Sequence, residues 1–100
     1  MSLQFGKEKL RMAMLDLVAP GDIHSRVAAA LGQHILHINE DEDIHPSAKS
    51  EFIQLKQSLH FEGTANHRAT EAIEKMSEIE VERIAQKVVA LYEIAIDGGN

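Results

Sequence analysis

The chain has 100 residues, no cysteine, a formal charge of −6 and an aromatic content of 4%. These values exclude disulfides and cysteine-ligated zinc, leave an aliphatic core of modest size, and argue against counterion-driven binding to nucleic acid, which needs clustered Lys and Arg. Protonating all six histidines would bring the formal charge to zero, so colloidal stability should fall in mild acid. No apolar run approaches the roughly 18 residues of a spanning helix. The sequence therefore reads as one soluble, cytoplasmic domain over residues 1–100, with no membrane partner.

Residues 4–18 carry Leu10, Ala13, Met14, Leu17 and Val18 at helical spacing, and Pro20 with Gly21 ends the pattern. Asp22 stands where an N-cap accepts hydrogen bonds from free amides. The helix it opens carries Ile23, Val27, Ala30, Leu31, His34 and Ile38 as one stripe, so the spacing predicts a helix as far as Asn39. The run Asn39, Glu40, Asp41, Glu42 and Asp43 is polar, and Pro46 biases His45 away from helical geometry, which makes this stretch a loop. A third helix is expected from Pro46 and Ser47, with Ala48, Phe52, Leu55 and Leu59 on its apolar face and Gly63 as a left-handed cap.

From Asn66 to Ile96 there is no Gly or Pro, and Thr70, Ile73, Ser77, Val81, Ile84, Val88, Leu91 and Ala95 keep one face. Two features compete here. Ser77 and Glu80 have the spacing of a capping box, with Met76 and Val81 as its staple, but the face runs through Ser77 without interruption. Continuity of the face favours one helix of roughly 45 Å. The expected architecture is an all-α four-helix bundle with a long C-terminal helix, or five segments if that helix breaks at Ser77.

A helix that long exceeds what partners of about 15 residues can cover, since these reach only roughly 22 Å. The sequence therefore predicts a homodimer with Val81, Ile84, Val88, Leu91, Tyr92 and Ala95 at its interface. Stacking of the short helices along it is the monomeric alternative.

Three groups of residues bear on chemistry. His34 and His37, with Asp41 or Glu40 and then His45, supply imidazoles and carboxylates of the kind that hold a divalent transition metal, although neither His-Glu-x-x-His nor paired Glu-x-x-His motifs are present. Residues Arg26 to Ile38 superficially resemble a helix-turn-helix. The would-be reading helix, however, offers Ile35, Leu36 and Ile38 and then acids, where base readout needs Arg, Lys, Asn or Gln. His45-Pro46-Ser47, after Asp43 and Ile44, resembles the His-Pro-Ser of colicin nuclease immunity proteins, whose adjoining tyrosine pair is absent here. His60, Glu62, His67 and Arg68 form a further polar cluster that suits an anion or simply solvated helix ends. No nucleophile elbow or phosphate cradle occurs. The resulting expectation is a protein-binding or regulatory module without catalysis or cofactor, with a metal-binding protein as the alternative.

Overall fold

The computed structural model describes residues 3–39, 41–58 and 71–98, with side chains to residue 96. The expected Gly63 cap and the polar cluster of His60, Glu62, His67 and Arg68 lie outside the described residues. The chain is all-α. Its helices are α1 (Leu3–Leu17), α2 (Ile23–Gln33), α3 (Pro46–Ser58) and α4 (Glu78–Gly98), with a 3-10 turn at Ile35–His37 and a helical turn at 71–74. No strand occurs among the described residues.

Each helix start has a local cause. Asp22 has an extended backbone and its carboxylate accepts the Ser25 amide at 2.8 Å, which is the expected N-cap of α2. Gly21 precedes it at φ +121°, a conformation that favours glycine. His45 stands before Pro46, and its Nδ1 accepts the Ser47 amide at 3.2 Å, so imidazole and proline together open α3. At α4 the Ser77 hydroxyl accepts the Glu80 amide at 3.2 Å while the Glu80 carboxylate accepts the Ser77 amide at 3.1 Å. This reciprocal capping box satisfies two amides that a helix start leaves open.

That box corrects the expectation of a continuous last helix. The ladder stops at Lys75, Met76 bonds back to Ile73 in a tighter turn at 3.1 Å, and α4 restarts with Val81 bonding Ser77 at 3.0 Å. Local polar satisfaction outweighs the unbroken apolar face. His24 on α2 reinforces the break, its Nε2–H donating to the Met76 carbonyl at 2.9 Å.

The second helix is shorter than its stripe implied. It ends at Gln33, because His34 leaves helical geometry at φ −128° and ψ −61°, and Ile35 and Leu36 enter the core from the 3-10 turn instead. Val18 also departs from expectation: it follows the last residue of α1 and is 76% exposed.

One apolar cluster draws on every helix, with Leu10, Leu31, Phe52, Ile73, Val81, Val88 and Leu91 all essentially inaccessible. The helix α4 packs against α1, α2 and α3. The residues expected at a dimer interface are therefore covered within one chain: Val81, Ile84, Val88, Leu91 and Ala95 are buried, and Tyr92 packs half-buried against the same cluster. The break leaves α4 with 21 residues, and the chain's own helices cover that length.

One backbone contact sets where α1 lies. A Cβ on Gly6 would fall 1.9 Å from the carbonyl oxygen of Asp43, so only glycine lets α1 seat against the 41–44 turn. Gly6→Ala should therefore destabilise the fold by about 1–3 kcal/mol, the range for forced overpacking, and chemical denaturation measures it. A loss under about 0.5 kcal/mol would show that the turn yields freely. For the capping box, Ser77→Ala should cost about 1 kcal/mol in thermal melts, and a neutral or stabilising result would restore the continuous-helix reading.

Candidate functional site

The polar residues that the sequence singles out are spread over separate settings. His34 is buried at the end of α2, its Nε2 lying 2.8 Å from Asp16 Oδ2 on α1. The pair meets at ion-pair distance without well-aligned hydrogen-bond geometry, since Asp16 Oδ2 lacks an aligned partner, and the other ring nitrogen, His34 Nδ1, is buried without a partner as well. His37 is exposed in the 3-10 turn. Asp41 is exposed and receives Lys49 Nζ at 2.7 Å. His45 is occupied in capping α3, with Nδ1 also 2.9 Å from the Ser47 hydroxyl.

The structure thus gives His34, Asp41 and His45 individual structural partners and leaves His37 facing solvent. Among the described residues no three His, Asp or Glu side chains converge as a metal-binding group. Glu40 lies outside the described residues.

The acidic loop is organised by its own backbone. Asn39 Oδ1 accepts the amides of Asp41 at 2.8 Å and Glu42 at 3.2 Å, and the buried Asp43 carboxylate accepts the Asn39 amide at 2.9 Å. Such side-chain bonds replace the ladder that a helix would supply, and they fold the run into a compact turn. Arg26 does comparable work at the end of α1, its Nη1 donating to the Leu17 carbonyl at 2.8 Å.

Of the cavities among the described residues, one is water-sized and one is an open groove of about 510 Å³. A space of about 10 Å³ between Leu10, Asp43, His45 and Ala95 holds a single water at most. An open groove borders the outer face of α3 along Lys49, Ile53 and Gln57.

Exposed aliphatic side chains are more prominent. Met12, Leu15 and Val18 follow one another at intervals of three residues and are 36%, 55% and 76% exposed, and Ile79 near the start of α4 is 64% exposed. Neither Leu15 nor Ile79 carried a distinctive signal, because one polar neighbour more or less decides which side of a short helix faces water. His24 and Gly6 were also missed. Each acts on a residue distant in sequence, Met76 and Asp43, so no local pattern announces it.

No protein-family model, curated protein or solved structure matches the chain. Among the described residues no helix is long and apolar enough to cross a membrane.

Asp22 provides a check on these electrostatics. The Ser25 amide bond is the main cause holding its carboxyl below the ordinary value of 3.8; desolvation opposes it next, and the Ser25 hydroxyl and the nearby His24 add smaller downward contributions. A depressed folded-state pKa contributes stability that is present above the unfolded value and is lost as pH falls through the folded one. The destabilisation caused by Asp22→Ala should therefore be full near neutrality and shrink below about pH 4. Melts of both proteins across that range measure it. A difference that does not change with acid would remove the charged cap from the account.

Proposed function

We propose that the protein is an interaction module: a small acidic helical protein that acts by binding protein, associates with a second copy as a homodimer, and performs no reaction of its own. The observation that carries this reading is the contrast between its interior and its surface. Among the described residues one space is water-sized and no three His, Asp or Glu side chains converge, whereas Leu15, Val18 and Ile79 are more than half exposed. Aliphatic side chains in water are the usual currency of protein recognition, and a polar surround keeps them from nonspecific collapse.

The charge supports a protein partner over a polyanion. At −6 the chain repels phosphate backbones, and its acids at Glu78, Glu80, Glu82 and Glu93 lie along the exposed parts of α4. A basic or apolar protein surface fits both features. No specific geometry favours the metal-binding alternative, because His34, His37, Asp41 and His45 stand in separate environments.

Sedimentation equilibrium across the micromolar range tests the self-association. The expected mass rises with concentration from 11.1 kDa toward twice that value. A mass that stays at 11.1 kDa throughout would reject the homodimer.

A further inference from the structure

The break before α4 is held by little, and the sequence across it is built for the alternative. Residues 71–74 are helical, Lys75 still bonds Glu71 at 3.3 Å, and Val81 already bonds Ser77 at 3.0 Å. Between these points the chain contains neither Gly nor Pro, and Ile73, Ser77, Val81, Ile84 and Val88 keep one helical face. In a straight helix the amides of Met76, Ser77, Glu78, Ile79 and Glu80 would bond the carbonyls of Ala72, Ile73, Glu74, Lys75 and Met76. Straightening would give up the capping box, the tight Met76 to Ile73 bond and the His24 bond to Met76 in exchange. The local exchange is close to balanced.

What forbids it in one isolated chain is packing. A straightened helix carries α4 away from the body, and Val81, Val88 and Leu91, all fully buried, would enter water. A second copy removes that obstacle. If two chains straighten together, each α4 packs on the body of the other, and every apolar contact is made again with the same residues. No new surface chemistry is needed, because the complementary surface is the one already present in the closed chain.

We infer that the surface by which this protein associates with a second copy is the seam of α4, presented by opening the Lys75–Ser77 hinge into a continuous helix and exchanging α4 between chains. This rests on the self-association proposed above and specifies its geometry. Val81, Ile84, Val88, Leu91, Tyr92 and Ala95 then lie between chains in the exchanged dimer, although they are interior in the closed one. The capping box acts as the latch that favours the closed form.

The exchange has a signature that ordinary docking lacks. Lys87 Nζ on α4 donates to Ser58 Oγ on α3 at 2.6 Å, so these positions adjoin within one closed chain and adjoin between chains after exchange. The chain has no cysteine, so Ser58→Cys with Lys87→Cys creates a unique pair for a short bismaleimide. The protein is refolded from denaturant at high concentration, separated by size, and each fraction is cross-linked at low concentration. The inference expects covalent dimers from the dimer fraction and intrachain links from the monomer fraction.

Adding Ser77→Ala and Glu80→Ala should raise the dimerisation constant about a hundredfold, because both hinges lose a cap and gain helix propensity. Ser77→Gly should lower it several-fold, since glycine is tolerated as a cap but disfavours the straight helix. This second variant decides the matter if the first does not fold. A dimer that yields only intrachain links would overturn the exchange and leave self-association standing. Monomer alone for the parent and the hinge variants would overturn both.

Discussion

The reciprocal bonds between Ser77 and Glu80 determine more of this structure than their size suggests. By stopping the ladder they separate the helical residues 71–74 from a helix of 21 residues. Only with that division do α1, α2 and α3 suffice to cover the C-terminal seam. The bond from His24 adds a tertiary partner for a carbonyl that the break would otherwise leave to solvent. A local cap and one long-range hydrogen bond thus fix where the helix breaks, and the packing of the seam follows from that position.

The helices and most of their buried faces were legible in the sequence because both follow from short-range periodicity. Leu10, Ala13 and Leu17 on α1, and Ala48, Phe52 and Leu55 on α3, are buried where the spacing puts them. Asp22 was equally readable, since a cap acts over three residues. The failures share a cause. Apolar spacing does not report whether the backbone remains helical, so Ile38 kept the stripe after α2 had ended and Ser77 kept the seam across a break. Both capping box and continuous face are visible at Ser77, and the cap prevails because it satisfies amides while a continuous face only permits a helix.

The site was less legible than the fold. His34, Asp41 and His45 share a short stretch, but sequence proximity does not fix side-chain direction in a segment that passes from helix to 3-10 turn to loop. His34 turns inward to Asp16, Asp41 faces Lys49, and His45 serves as a cap beside Pro46. The composition had placed six histidines and sixteen acids in a small chain, so coincident spacing was to be expected. What distinguishes structural from chemical roles here is which backbone amide each side chain answers.

The contact at Gly6 also bears on ancestry. Because the Asp43 carbonyl occupies the volume a methyl group would need, the packing of α1 against the acidic turn is recorded in one position of the sequence. Two chains sharing this arrangement can diverge throughout their surfaces and still agree there, whereas a chain with a larger residue at that point must carry its turn on a different path. Position 6 is therefore where the path of the acidic turn is written most plainly in the chain.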